Sequence, residues 1–448
     1  MRKIVILGNG IAGITAARHI RKRSDDEILV ISAETDHFFS RTALMYVYMG
    51  HMTKEHIKPY EDHFWEQNRI RLLRAYVRRV DFEAKSLEIE NGTRILYDEL
   101  ILATGSKPNR FGWPGQDLDG VQSLYSMQDL DLMETNSRGI ERAVIVGGGL
   151  IGIEMTEMLL TRNIPVTFLV REDSWMKRIT PPEESQMINR HIREHGVDFR
   201  LGTELEEILG DDSGRVRAAV TKDGDTIPCG LLGLTVGVSP NVEFLRDSGL
   251  EIERGILVDG HLRTNQPHVW AIGDCAQLRD PAPGRPPIEA VWYVGRAMGE
   301  VAARNLCGEA LPYRQGIWFN SAKFFDLEWQ VYGTVPAQPR EGEETLFWEH
   351  ESGKKSLRIN YRSEDLAVVG FNVMGIRYRH ELCHQWLEDE RPLPWVLENL
   401  GAANFDPEFF RQHESDLVAT YNQRHPDRPV KLKRRRGLRH LLQLGRAS

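Results

Sequence analysis

Two segments of this chain each run from an apolar strand through three spaced glycines into a helical pattern. The first is Ile4-Val5-Ile6-Leu7-Gly8-Asn9-Gly10-Ile11-Ala12-Gly13. The second is Ala143-Val144-Ile145-Val146-Gly147-Gly148-Gly149-Leu150-Ile151-Gly152-Ile153-Glu154. Each is a G-x-G-x-x-G in the strand–turn–helix setting that gives this motif its physical meaning. The first glycine permits a tight turn, the second lets backbone amides approach a pyrophosphate, and the third lets helix pack closely on strand. The helix N-terminus then favours the anion. One such motif alone is weak evidence. Two in one chain predict two Rossmann-like units and two bound dinucleotides, the arrangement needed for a flavin reduced by a nicotinamide. Gly8, Gly10, Ile11, Ala12 and Gly13 are assigned to one dinucleotide. Gly147, Gly149, Leu150, Ile151 and Gly152 are assigned to the other.

Length and composition narrow the class. At 448 residues the chain can build two or three domains with proper cores. A net charge of −8 argues against a general nucleic-acid binder. No apolar run is long enough to span a bilayer. Met1-Arg2-Lys3 and the apolar residues after it read as the first strand rather than a signal peptide, because they flow directly into the glycines. Cys229, Cys275, Cys307 and Cys383 show no C-x-x-C or C-x4-C spacing. That pattern fits a reducing cytoplasm and offers no disulfide framework and no zinc site. A soluble cytoplasmic protein with no metal is the expectation.

Glu27-Ile28-Leu29-Val30-Ile31 reads as a second strand, and Glu34 follows it some twenty residues past Gly13, where an acid accepts hydrogen bonds from a ribose 2′-OH. Leu96 to Leu102 is a buried strand that ends in the small-residue turn Ala103-Thr104-Gly105. Pro108 and Pro114 mark a crossover into the second nucleotide unit. Gly255–Asp259 and Trp270–Asp274 return to strand character, and Ala290–Leu306 is helical. Beyond Leu311, strand-like stretches alternate with helices near His380–Leu387 and Pro394–Leu400.

These residues, in this order, resemble the FAD-dependent pyridine nucleotide-disulfide oxidoreductase superfamily over positions 1 to about 310. The match comprises both fingerprints, the Ala103-Thr104-Gly105 turn, and Thr264 followed by Ala271-Ile272-Gly273-Asp274. The fold implied is α/β, with FAD and NAD(P) domains of three-layer ββα type plus a C-terminal α+β domain. The boundaries expected are 1–110 with 246–310 for FAD, 111–245 for NAD(P), 311–425 for the C-terminal domain and 426–448 for a basic tail. The resemblance assigns Asp274 to the flavin's ribityl chain and Gly237, in Gly237-Val238-Ser239-Pro240-Asn241, to the nicotinamide side. Val77 joins the cofactor-binding residues in this reading.

The finer details look most like the ferredoxin and rubredoxin reductase branch and the flavin modules of nitrite reductases. Glu34 and Phe39-Ser40-Arg41-Thr42-Ala43-Leu44 are similar to that branch's acid-then-arginine loop, which puts Arg41 near the flavin. Trp292, between Glu289 and Gly299, resembles the tryptophan at the flavin edge. Trp318, in Trp318-Phe319-Asn320-Ser321, resembles a C-terminal segment that closes the flavin pocket. Either tryptophan also suits an ordinary core. Glu154 resembles the glutamate that orients the nicotinamide, and as a first-turn acid it also complements the helix dipole.

Departures from the superfamily define the chemistry. Disulfide reductases carry reactive cysteine near position 43, where this chain has Ala43, and no cysteine precedes Cys229. The acid–base His-Pro of those enzymes is missing too; the nearest stretch is Asn404-Phe405-Asp406-Pro407. Tyr46 stands where some relatives place a lysine. Thiolate chemistry needs a thiolate, so disulfide reduction is excluded.

The expected activity is hydride transfer from NAD(P)H to FAD, followed by electron delivery to an iron–sulfur carrier of ferredoxin or rubredoxin type. Two alternatives stand beside it: an oxidase that reduces oxygen or a quinone, and a flavin-binding redox-sensing interaction protein. Arg171 and Lys177, with Arg178, follow the strand Val166–Val170 where an NADH-type acid would sit, which favours NADPH. The basic stretch from Arg428 reads as a solvated terminus, or as a docking element for an acidic partner or anionic membrane. Both monomer and homodimer remain open.

Overall fold

A computed structural model describes residues 1–405 and 411–433. The basic tail from position 434 onward, and Asp406 and Pro407, lie outside the described residues. The chain divides into two compact units, one of residues 1–171 and 197–315, the other of residues 172–196 and 316–448.

The first unit contains two five-stranded sheets of parallel strands. In the first, Val269–Ala271, Glu99–Leu102, Lys3–Leu7, Glu27–Ser32 and Ile70–Arg74 lie side by side in that order. In the second the order is Asp198–Leu201, Val166–Val170, Ala143–Val146, Leu231–Leu234 and Val121–Gln122. The central strands are buried almost throughout, as near-continuous apolar runs of a sheet covered on both faces should be. Both sheets place the glycine-bearing strand at the centre, with helices Ile11–Arg21 and Leu150–Thr161 leaving its C-terminal end. Two small antiparallel sheets supplement the parallel ones, Val77–Asp81 with Ser86–Ile89 and Arg94–Leu96, and Leu205–Gly210 with Val216–Thr221 and Thr226–Pro228.

Two joints connect the halves of this unit. Ser106–Pro108 pairs antiparallel with Val238–Pro240, and the short helix Leu44–Tyr48 packs against Leu150–Thr161. The Arg162 guanidinium sits 3.5 Å over the Tyr48 ring and pairs with Glu134 at 2.6 Å.

The second unit is built on an antiparallel sheet of order Phe319–Phe324, Leu327–Gly333, Val368–Met374, Ser356–Arg362, Glu343–Glu349. Helices His380–Glu388, Leu393–Asn399 and Glu414–Arg424 pack their apolar faces on its core. The amphipathic helix Pro182–Glu194 also belongs to this unit. It is tied in by Arg358, whose guanidinium donates to both carboxylate oxygens of Glu184 at 2.7 and 2.9 Å. Among the described residues no helix is long and apolar enough to cross a membrane.

Candidate functional site: two matched glycine cradles

The two glycine turns repeat one another atom for atom in what they permit. Gly8 has φ of +119°, and a β-carbon there would lie 2.0 Å from the Ala103 carbonyl oxygen. Gly147 has φ of +111°, and its β-carbon would lie 2.4 Å from the Thr235 carbonyl oxygen. Only glycine fits such positions. The third glycines serve helix packing. A β-carbon on Gly13 would meet the Gly8 carbonyl at 2.0 Å, and one on Gly152 would meet the Gly147 carbonyl at 2.3 Å.

The middle glycines differ in kind. A β-carbon on Gly10 or Gly149 would find nothing within 4 Å. Both residues are extended N-caps, without a side-chain cap, of the helices that follow. The first-turn amides of Ile11, Ala12 and Gly13, and of Leu150, Ile151 and Gly152, have no intrahelical partners, and the space at Gly10 and Gly149 beside them is open. Open space in front of unpaired amides at a positive helix end is the shape and charge of a pyrophosphate site. The residues present fit two dinucleotides.

Around the first cradle a polar network is already assembled. Asn9, buried between the two glycines, donates its side-chain amide to the Thr35 and His37 carbonyls at 2.9 and 3.1 Å. That clamps the loop carrying Glu34. Arg41 Nη1 and Nη2 donate to the two Glu34 carboxylate oxygens at 3.0 and 2.6 Å, and Arg41 also donates to the Tyr125 carbonyl. The Met127 amide, first in the helix Met127–Asn136, donates to Glu34 Oε1 at 2.9 Å. Three of the roughly four acceptor directions of the carboxylate are thus taken. Glu34 organises Arg41 as well as facing the loop.

Asp274 stands in the one-turn helix after strand Val269–Ala271. It accepts from Ser106 Oγ at 3.1 Å. Burial raises its carboxyl above the usual range, opposed by the Ser106 hydrogen bond and by the positive charge of Arg41. Ala103, Thr104 and Gly105 form the turn beside it. Thr104 Oγ1 donates to the Asn241 carbonyl at 2.8 Å, and Gly105 takes φ of +68° next to the Tyr125 hydroxyl. Val77 is buried at the start of its antiparallel strand and belongs to the apolar core. Trp292 opens the helix Trp292–Leu306, half-buried, with its ring edge-on to Tyr293 at 5.3 Å. That helix crosses the first glycine helix closely enough that a β-carbon on Gly299 would lie 2.5 Å from the Ala12 carbonyl.

At the second cradle Glu154 is half-buried on the helix that packs against Leu44–Tyr48. Desolvation, with a smaller contribution from Glu157, pushes its carboxyl up to about 7. Gly237 has φ of +89°, and its carbonyl accepts from the Asn109 amide at 3.0 Å. Gly148 lies against Val170, where a β-carbon would come 2.8 Å from Val170 Cγ1. Arg171 follows Val170 in the first unit. Lys177 is in the second unit and pairs with Asp173 at 2.6 Å. Trp318 is likewise a residue of the second unit, and its carbonyl accepts from the Gly333 amide at 2.8 Å.

The sequence reading did not anticipate Asn9, Ser106, Tyr125 and Met127. An asparagine between two cradle glycines was the one visible signal. The others arrive from distant segments.

All four cysteines are free, three of them buried and Cys307 half-buried. Burial raises every thiol, Cys229 to about 12. None is a thiolate nucleophile at neutral pH.

The sequence matches the model of the pyridine nucleotide-disulphide oxidoreductase family over residues 2–299, and the chain belongs to that family. It is 32% identical over 336 residues to a ferredoxin–NAD(P)(+) reductase of Sphingomonas, a match covering 74% of this chain and 80% of that one. It is 33% identical over 332 residues to a nitrite reductase [NAD(P)H] of Bacillus subtilis, covering 73% of this chain but only 40% of that longer protein. In fold it is similar to a NAD-dependent persulfide reductase of A. fulgidus, with TM-score 0.83, 23% identity and coverage of 94% of this chain and 84% of the other. The protein is an FAD-dependent NAD(P)H oxidoreductase, and the two cradles are where this chain's residues fit those two dinucleotides.

Proposed function

We propose that this enzyme takes reducing equivalents from NADPH and delivers them singly to an iron–sulfur carrier of ferredoxin or rubredoxin type. FAD held at residues 1–110 and 246–310 would supply the chemistry, accepting hydride from a nicotinamide held at residues 111–245. The single observation that carries the reading is the state of the thiols. Every cysteine of this chain is free, burial raises every thiol, and position 43, where disulfide-reducing relatives carry a reactive cysteine, is Ala43. Electrons then leave without passing through protein sulfur.

The chain's own residues divide the work. The amides after Gly10 and Gly149 hold the two pyrophosphates. Glu34 offers its remaining acceptor direction to a ribose hydroxyl and fixes Arg41. Asp274, held by Ser106, presents a carboxyl to the ribityl chain. Gly237 gives the nicotinamide side a close backbone approach, and Glu154 positions the carboxamide. Trp292 and Val77 supply apolar surface on the flavin side. The preference for NADPH rests on Arg171 and on the lack of an acid at Val170, since a 2′-phosphate dianion favours basic residues. The Sphingomonas relative, named for ferredoxin, supports the carrier class.

Reduced carrier formation from NADPH and from NADH, measured anaerobically with a ferredoxin and a rubredoxin, tests this. Carrier reduction faster with NADPH supports it. NAD(P)H consumption that needs oxygen and leaves both carriers oxidised refutes it.

A further inference from the structure

The helix Pro182–Glu194 ends with two histidines one turn apart, His191 and the C-terminal flanking residue His195. Their rings lie 4.5 Å apart. Facing them is the tip of a hairpin in the same unit. The strands Phe319–Phe324 and Leu327–Gly333 are joined by the two-residue turn Phe325-Asp326. Nothing local recommends Phe-Asp there. Two-residue hairpin turns favour Asn-Gly or Asp-Gly, yet Phe325 takes φ of +53°. The turn is held instead by stacking, since the Phe325 ring lies 4.2 Å from the His195 ring at an interplanar angle of 12°. This places the Asp326 carboxylate between the histidines.

The nitrogen geometry is that of ligands. His195 Nδ1 is 2.9 Å from the His191 carbonyl. The carbonyl can only accept, so Nδ1 carries a proton, and in the neutral ring Nε2 then keeps its lone pair for a ligand. That lone pair lies 3.5 Å from Asp326 Oδ1. His191 is only 2% exposed. Its Nε2 comes within 2.7 Å of Asp326 Oδ1, but without the alignment of a hydrogen bond, so both its ring nitrogens are buried and unsatisfied. A buried imidazole left without a partner requires a reason. The three donor atoms lie within 4.8 Å of one another. Tetrahedral zinc, with ligand bonds of about 2.0–2.2 Å, sets neighbouring donor atoms roughly 3.3 Å apart. His195 and Asp326 already stand near that separation, and Asp326, 65% exposed, has room to swing away from His191. Glu194 Oε2 lies 3.9 Å from His191 Nδ1, beyond hydrogen-bond reach, and adds negative charge beside the ring. It also holds the nearby Lys354 ammonium at 3.4 Å.

We propose that His191 Nε2, His195 Nε2 and Asp326 form a binding site for a divalent transition cation of the zinc type, with a fourth position open to water. Two imidazoles and one carboxylate select such a cation over magnesium or calcium. The site joins the end of helix Pro182–Glu194 to the hairpin of the antiparallel sheet.

The test uses the full-length flavin-loaded protein, stripped of metal with a chelator and titrated with zinc chloride against a chromogenic indicator. One zinc per chain is held and the melting temperature rises. Cobalt chloride in its place gives the visible absorption bands of a low-coordinate site. H195Q and D326N, which alter partly exposed side chains, each weaken zinc binding by at least about tenfold and abolish the thermal shift. H384A, which alters the separate His380–His384 pair, leaves both intact. Zinc bound equally well by wild type, H195Q and D326N overturns the proposal, as does an absence of saturable binding to the wild type.

Discussion

A β-carbon on Gly8 would lie 2.0 Å from the carbonyl oxygen of Ala103. The glycine strand and the small-residue turn, nearly a hundred positions apart in the chain, are therefore in backbone contact at the mouth of the first cradle. The neighbouring Gly10 has no such contact, so two glycines of one motif answer to different demands.

That difference predicts opposite outcomes for the same substitution. Gly8→Ala meets both a backbone clash and a positive φ, and stability falls by about 3 kcal/mol or more in urea unfolding. Gly10→Ala leaves the fold stable and instead puts a methyl group into the open space where a pyrophosphate would lie. Its FAD affinity, read by equilibrium dialysis, drops at least about tenfold, which corresponds to about 1.4 kcal/mol. Gly149→Ala raises the KM for NAD(P)H and keeps FAD.

Arg41 and Glu34 behave as one element. Arg41→Gln removes a bidentate partner and leaves a half-buried carboxylate with only the Met127 amide, at a cost of about 2–3 kcal/mol. The variant purifies with less than stoichiometric FAD, measured by visible absorbance against protein. Full flavin occupancy would show that the pair is not part of the binding site.

Glu154 carries a pH signature. Its folded carboxyl titrates near 7, above the ordinary value of about 4.5 for the unfolded chain. Between those values the folded state keeps a proton that the unfolded state loses, so stability falls as pH rises from about 4.5 to about 7. Glu154→Gln removes that slope. Relative to wild type, E154Q is more stable by about 1–3 kcal/mol at pH 8 and near equal at pH 4, as read by chemical denaturation at each pH. An identical slope in both proteins would remove Glu154 as its source.

The buried Arg358–Glu184 pair holds helix Pro182–Glu194 to the antiparallel sheet, with Asn372 adding a third donor at 3.2 Å. Arg358→Ala strands a fully buried carboxylate and costs about 3–5 kcal/mol, whereas replacing both partners by apolar residues of similar volume costs far less. A double-mutant cycle by thermal unfolding measures the difference.

Much of the fold is legible in local pattern. The apolar runs at Ile4–Leu7 and Ala143–Val146 are strands because they end in glycines that only a strand-to-helix turn requires. The helices near His380 and Pro394 run His380–Glu388 and Leu393–Asn399. Partnerships across the chain are not legible. Nothing around Glu184 signals that Arg358, 174 positions away, neutralises it. Helix Pro182–Glu194 has a Pro at its first turn and acids beside it, which announces a helix without saying which surface it covers. Likewise Glu34 reads as a ribose acid from its spacing, while its engagement with Arg41 and Met127 depends on a loop and a helix start that only tertiary packing brings together.

Anaerobic titration of the purified yellow protein with NADPH, followed by visible flavin absorbance, tests the central claim most directly. The two-cradle account predicts that about one equivalent bleaches the flavin fully, and that Gly149→Ala slows the bleaching without loss of FAD. A folded protein that takes up no FAD, or a bound flavin that NADPH and NADH both leave oxidised, would contradict it.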